Sequence, residues 1–270
     1  MMIFYYSGSG NSETVARALS EDIGTDLVEI PSAISRGRLR YDAHGGPVGF
    51  AVPVYFRGLP RIVESFCGTL EVVNPGFVFA VLTCSGDSGR AGEDLQAALS
   101  DRLRIDACYD ILMPDSAPFI NGAGLADGSG EHNGILRISR GVSAREKGDF
   151  RRFDTSASNS EDRERYLDLS DTSNFSVTGA CSSCKMCAQY CPEQIIRFYS
   201  YKPVWDEPCC SLCMRCVNIC PPKAVRFGGK DNGDRYLSDI WKRESHDYIV
   251  RRLHQKIPPM RRCGSAFHRF

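Results

Sequence analysis

The sequence predicts two units: a doubly wound α/β domain with five parallel strands, followed by a small α+β domain organised by cysteines. Three observations predict them. Strand-length apolar runs alternate with helical segments over the first 115 or so residues, an alternation that implies a parallel sheet covered on both faces. A loop of Gly and Ser joins the first apolar run to the first helical segment. Two cysteine runs of identical spacing lie between residues 181 and 221. The length, 270 residues, fits about two domains at roughly 150 residues each.

Residues 2 to 6 read as a fully buried strand, Ser7-Gly8-Ser9-Gly10-Asn11-Ser12 as a turn, and Glu13 to Ile23 as a helix with Val15, Ala16, Leu19 and Ile23 on one face. Leu27 to Ile30 suits a second strand, Val48 to Val54 a third, Phe77 to Leu82 a fourth and Ala107 to Met113 a fifth. Helical segments are expected near 60 to 68 and 90 to 104. Residues 1–120 therefore form the first domain.

Between about 121 and 165 the pattern dissolves into Gly, Ser, Asp and Arg, with Gly122, Gly124, Gly128, Gly130 and Gly134 close together. We read 121–174 as a lid and linker, as such segments are when they interrupt a compact domain. A helix around 144 to 152 or 160 to 168 is an expectation within it. Residues 175–230 hold the cysteine domain. Residues 231–270 read as a helical extension, with Tyr236, Leu237, Ile240, Trp241, Tyr248, Ile249 and Leu253, ending in a basic tail.

Lys plus Arg and Asp plus Glu balance at 33 each, which removes any whole-chain electrostatic case for nucleic acid or an anionic surface. No stretch reaches the 18 or so consecutive apolar residues of a membrane helix. The start Met1-Met2-Ile3-Phe4-Tyr5-Tyr6 has no basic leader and reads as a strand rather than a signal peptide. Many cysteines without an export signal suit a reducing, cytoplasmic compartment.

Cys181, Cys184, Cys187 and Cys191 are followed by Pro192, and at an offset of 29 residues Cys210, Cys213, Cys216 and Cys220 are followed by Pro221. Each run is C-x2-C-x2-C-x3-C-P. Ile196-Arg197-Phe198 and Val225-Arg226-Phe227 repeat at the same offset, which is what two copies of one unit leave behind. That spacing lets three thiolates of one tight loop hold three corners of an iron-sulfur cube, while the fourth cysteine of each run reaches the other cluster. On that rule Cys181, Cys184, Cys187 and Cys220 hold one cluster, and Cys210, Cys213, Cys216 and Cys191 the other. Cys209 falls outside the spacing. The competing reading is structural zinc, which favours two C-x2-C pairs separated by a longer loop over three cysteines in a run closed by C-P. A disulfide framework belongs to small secreted domains. Residues 175 to 228 or so resemble the bacterial-type ferredoxin with two 4Fe-4S clusters.

The Gly-Ser loop before a helix N-terminus is a phosphate cradle on physical grounds, because backbone N–H groups, hydroxyl donors and the positive helix end converge on one anion. A dinucleotide fingerprint would need a third Gly where Glu13 stands, and a Walker loop would need G-K-[ST]. Ser7, Ser9, Gly10, Asn11 and Ser12 instead fall on the S/T-x-T-G-N-T/S positions of the flavodoxin loop, which the chain resembles over roughly residues 1 to 115. Ser9 stands where threonine is usual and keeps the hydroxyl. The resemblance implies FMN, held without a compensating Arg or Lys.

In flavodoxins, loops after strands three and four flank the isoalloxazine ring, at the edge where open α/β sheets bind ligands. The corresponding segments are Pro53-Val54-Tyr55-Phe56-Arg57-Gly58 and Thr83-Cys84-Ser85-Gly86-Asp87. Tyr55 or Phe56 is placed to stack on the ring, with core packing of both aromatics as the competing reading. Backbone groups of Thr83, Cys84, Ser85 and Gly86 would meet its polar edge. Cys67 and Cys108 read as buried small hydrophobes, and the five histidines share no spacing.

The whole pattern resembles a family of bacterial and archaeal fusions of a flavodoxin-like domain to a two-cluster ferredoxin, and the Met113-Pro114-Asp115 step fits it as well. The resemblance implies electron transfer between FMN, two [4Fe-4S] clusters and a redox partner protein. Two alternatives stand beside it: an iron-sulfur flavoprotein reductase or oxidase acting on a small molecule or quinone, and a ferredoxin carrying a flavin-free docking domain. Transfer within one chain and transfer across a homodimer are both open from sequence.

Overall fold

The computed structural model describes residues 1–117, 120, 131–152 and 160–230. The helical extension and basic tail expected over 231–270, and the glycine-rich stretch 121–130, lie outside them. In chain order the first unit runs β1 (Met2–Tyr5), α1 (Asn11–Ile23), β2 (Asp26–Glu29), α2 (Ile30–Ser35), β3 (Arg40–Asp42), β4 (Pro47–Pro53), α3 (Arg61–Thr69), β5 (Glu71–Val73), β6 (Phe77–Cys84), α4 (Ala91–Leu99), β7 (Ala107–Leu112), α5 (Glu131–Ser143) and β8 (Gly148–Asp149).

The main sheet is parallel throughout, in the order β2-β1-β4-β6-β7-β8. Its first five strands have the doubly wound order in which the chain reverses direction beside β1, so the carboxyl ends of β1 and β4 flank a crevice. β6, FVFAVLTC, is buried at every position and β4 at six of its seven, as central strands covered on both faces must be. Alternation sends Phe4, Phe50, Val52 and Leu82 to one face, under α3 and α4, and Ile3, Tyr5, Ala51 and Val81 to the other, under α1 and α5. Each large apolar side chain so buried contributes about 1.5–3 kcal/mol. Gly49 is required by packing, because a Cβ there would stand 2.4 Å from the Phe79 ring.

Two expectations are corrected. The sheet has six strands, not five: β8 pairs Gly148 and Asp149 with Ala107 and Cys108. A two-residue strand has no apolar run to announce it, and it is tied in by Arg151, which donates to Asp149 and to Glu93 of α4. The lid-and-linker reading of 121–174 fails over 131–152, where α5 buries Ile135, Ile138 and Val142 and covers the sheet beside α1. Of the two helices considered there, 144 to 152 is turn and edge strand, whereas Ser160–Leu169 forms α6. The pair β3–β5, a parallel two-stranded sheet, carries no sequence signal that was recognised.

The second unit contains β9 (Phe175–Val177), α7 (Met186–Gln189), β10 (Ile196–Tyr199), β11 (Lys202–Trp205), α8 (Arg215–Asn218) and β12 (Val225–Phe227). β10 and β11 form a hairpin, and β12 pairs antiparallel with β9. The repeat seen in the cysteines is also a repeat of backbone shape. Left-handed residues occur at Ser183 and Leu212, Lys185 and Met214, and Gln194 and Lys223, each pair at the 29-residue offset of the cysteines.

The units dock through the start of α3. Pro60 precedes that helix and provides no side-chain cap, and the first amides of any helix lack intrahelical partners. Here Arg61 N donates to the Tyr166 hydroxyl of α6 at 3.1 Å, and Ile62 N donates to Ser211 Oγ at 3.1 Å. Arg163 of α6 adds bonds to the Leu59 carbonyl and to Glu64. Among the described residues no helix is long and apolar enough to cross a membrane.

Candidate functional site

A cleft open to solvent lies at the carboxyl edge of the sheet, the edge where open α/β sheets bind ligands. Ser9, Asn11 and Ser12 of the first loop, Pro53, Tyr55 and Phe56 after β4, and Thr83, Cys84 and Ser85 after β6 all line it. Three sequence-derived candidates do not. Ser7 Oγ is turned into its own loop, accepting from Gly10 N at 2.9 Å. Gly10 makes the turn itself, at φ 100°, and Gly86 is exposed outside the lining.

The loop is held by bonds that the motif does not reveal. Ser12 Oγ meets Thr83 Oγ1 at 2.7 Å, both buried, which locks the start of α1 to the end of β6. Asn11 Nδ2 donates to the Pro114 carbonyl at 2.7 Å, drawing the Met113–Ala117 segment against the cleft. That segment was recognised as a motif but not placed in the site. Asp115 belongs to it: one carboxylate oxygen accepts from Ala117 N at 2.8 Å, and the other is buried without a hydrogen-bond partner among the described residues. Burial raises the Asp115 carboxyl above its ordinary value. A buried acceptor with a vacant lone pair in a cleft is a group waiting for a ligand donor.

The two aromatics take different roles. After β4 the chain turns tightly through Phe56 and Arg57, both with positive φ, closed by paired bonds between Tyr55 and Gly58. Phe56 packs on the Tyr166 ring at 5.7 Å, with the Arg165 guanidinium over it at 5.6 Å. Tyr55 points to the wall between cleft and cysteines: a Cβ built on Gly8 would stand 2.5 Å from the Tyr55 hydroxyl and 2.8 Å from both Cys213 Cβ and the Cys213 carbonyl oxygen. Burial pushes the Tyr55 hydroxyl well above its usual range, and Cys213 and Tyr166 add to the shift. Cys84, also in the lining, is a buried thiol pushed up to about 12, chiefly by burial, which makes it packing and not a nucleophile. Cys67 and Cys108 are likewise buried and pushed up to about 12.

The far wall of the cleft is Leu212, inside the second cysteine run. Three residues on, Arg215 is almost wholly buried and donates to the carbonyls of Gly8, at 2.9 Å, and of Ser7. It draws both carbonyl oxygens toward the cysteine unit and brings a fixed positive charge beneath the loop. The flavodoxin pattern predicted no compensating cation, and a lone Arg within C-M-R-C offered no signal of one.

The eight run cysteines form no disulfide and fall into two neighbourhoods. Cys187 feels Cys220, Cys184 and Cys181, while Cys216 feels Cys213, Cys191 and Cys210 ahead of Cys187. Backbone amides are directed at the sulfurs, Leu212 N at Cys210 Sγ (3.4 Å) and Ala224 N at Cys220 Sγ (3.2 Å), the kind of hydrogen bonding that stabilises thiolate ligands and tunes clusters. Among the described residues no group of three or more His, Cys, Asp or Glu is gathered as the ligands of a single metal ion. Cys209 joins neither quartet and bridges to Asp171.

No family model matches the chain, and no curated protein matches it. Among solved structures the chain is similar to the Trp repressor binding protein from Bacillus subtilis, at 12% identity over 58% of this chain and 99% of that one, with a TM-score of 0.30.

Proposed function

We propose that this chain is an electron-transfer protein that holds FMN in the cleft and two [4Fe-4S] clusters on the cysteine quartets, and that it exchanges electrons with a partner protein. The observation that carries the reading is the contact of Gly8, in the phosphate loop, with Cys213, a ligand in the second quartet. It supports exchange inside one chain, without a second subunit.

When bound, FMN interconverts two-electron and one-electron chemistry and each cluster handles one electron. The residues would divide the work as follows. Ser9, Asn11 and Ser12, with the positive end of α1 and Arg215 beneath, hold the dianionic phosphate. Asp115 accepts from a flavin donor with its unpartnered oxygen. Tyr55 and Leu212 form the dry wall between ring and thiolates. Cys181, Cys184, Cys187 and Cys220 bind one cluster, and Cys210, Cys213, Cys216 and Cys191 the other. Free cysteines throughout the described residues suit a reducing, cytoplasmic setting.

The test is anaerobic purification with iron, acid-labile sulfide and FMN counted per chain, then rapid flavin reduction with the clusters followed by absorbance. About eight irons and one FMN, with cluster reduction at a rate independent of protein concentration, are expected. Eight irons with no FMN, even after its addition, would reduce the first unit to a docking domain. A second reading, a flavin-dependent reductase, is favoured by one observation, the raised carboxyl of Asp115 in the cleft. Steady turnover of a small acceptor, lost in Asp115→Asn, would establish it.

A further inference from the structure

We infer that the tip of the β10–β11 hairpin, with Lys185 beside Cys184, is the docking surface for an acidic one-electron carrier protein. The inference rests on the proposed function, because it assigns a partner to the cluster held by Cys181, Cys184, Cys187 and Cys220.

Among the described residues Cys184 is the one run cysteine that is fully exposed, the others being buried or half-buried. Cys184 is exposed, while the quartet containing Cys213 is walled by the α/β unit. The hairpin beside Cys184 shows three of the five large apolar side chains exposed among the described residues: Tyr199, Tyr201 and Val204, with Tyr201 at 84%. The pairing Arg197↔Val204 and Tyr199↔Lys202 sets those four residues on one face, while Ile196, Phe198 and Trp205 turn to the core. Ser183 Oγ donates to the Tyr201 carbonyl and ties the tip to the loop carrying Cys184.

Backbone strain marks the tip independently. Ser200 and Tyr201 have φ of 46° and 65°, the shape of a two-residue hairpin turn that Asn-Gly adopts freely and a bulky side chain does not. The chain keeps a tyrosine there, and its ring lies in solvent. Strain retained with no packing return is a mark of function.

Charge selects the partner. Lys185 and Lys202 are exposed and make no ion pair among the described residues. Of the nearby carboxylates, Glu193 accepts from Ser211 N at 2.7 Å and Asp206, next to Trp205, is paired with Arg197 at 3.2 Å. Exposed aromatics ringed by lysine match an interface steered to an acidic face. In the exchange, one electron leaves the carrier's reduced centre and enters the cluster on Cys184; no bond forms or breaks.

The test titrates the full-length holoprotein, after its iron has been counted, with an oxidised two-iron ferredoxin of acidic surface, by calorimetry at low and high salt, with the basic protein cytochrome c as control. Binding of the ferredoxin alone, weakened by salt and weakened about tenfold by either Tyr201→Gly or Lys202→Glu, is expected. Glycine adopts the positive φ of this position without strain, so Tyr201→Gly keeps the turn. Wild-type affinity in either variant, preference for cytochrome c, or protection of Tyr201 from hydroxyl-radical footprinting in the free protein, which would mean that the chain itself covers the tip, overturns the inference. Lack of iron is a separate failure, of the cluster assignment, and the iron count reports it before titration begins.

Discussion

Arg215 Nε donates to the Gly8 carbonyl at 2.9 Å, across 207 residues of sequence. A side chain between two cluster-run cysteines thus completes the hydrogen bonding of the loop that begins the chain's first crossover. The two units are joined at the site itself.

Arg215→Met keeps the bulk and removes the donors. Two buried carbonyls, of Ser7 and Gly8, lose their partner, at about 1–3 kcal/mol for each unsatisfied group. Denaturant unfolding should show a loss of about 3 kcal/mol, and flavin titration at least a tenfold weaker FMN complex. Wild-type values for both would remove Arg215 from the loop's support.

Gly8→Ala would drive a methyl into Cys213 and the Tyr55 hydroxyl. Overpacking of this kind costs about 1–3 kcal/mol. The loop must separate from the cysteine wall, so rapid-mixing experiments should find slower exchange between flavin and clusters with the iron content unchanged. An unaltered exchange rate would show that this contact is not on the route.

Asn11→Asp replaces the amide that donates to the Pro114 carbonyl with a carboxylate beside a dianionic phosphate. FMN binding should weaken by several kcal/mol, of the order of ~3. Asn11→Ala removes the strap without the charge and should fall between the two. If the two variants bind FMN equally, charge is not what discriminates, and the phosphate does not sit at Asn11.

Cys191→Ala and Cys220→Ala separate the crossed rule from its alternative. Cys191→Ala should abolish the cluster on Cys210, Cys213 and Cys216, and Cys220→Ala the one on Cys181, Cys184 and Cys187, each leaving about four irons. Electron paramagnetic resonance of the reduced variants identifies which cluster survives. Loss of the cluster in the mutated residue's own run would mean uncrossed ligation.

Acid should loosen the edge strand. Burial raises the carboxyls of Glu93 and Asp149, but hydrogen bonds from Arg151 outweigh it and both are held below their ordinary values. Carboxylates depressed in the folded state add stability that is present above their unfolded values, roughly 4, and is lost as pH falls through the folded ones. Both are partly exposed, so the effect is modest. Denaturant unfolding against pH should show a shallower acid limb in Arg151→Met, and an identical limb would sink the assignment.

The features legible in the chain are those written locally. Continuous apolar runs located β1, β4, β6 and β7 and a 3.6-residue period located α1 within a few residues, because the central strands are covered on both faces and the helix on one. The cysteine repeat and the Gly-Ser turn were legible because each is made by neighbours in sequence. β8 escaped because two residues form no pattern, and α5 because its three buried apolar residues lie in a glycine- and arginine-rich stretch.

Docking alone decided the rest. That Tyr166 and Ser211 cap α3, that Arg215 holds the first loop, and that Gly8 touches Cys213 all follow from how two surfaces fit. Periodicity states which face of an element is buried, but not which distant segment buries it. The two motifs can therefore be read along the chain, whereas their adjacency exists only in the folded molecule.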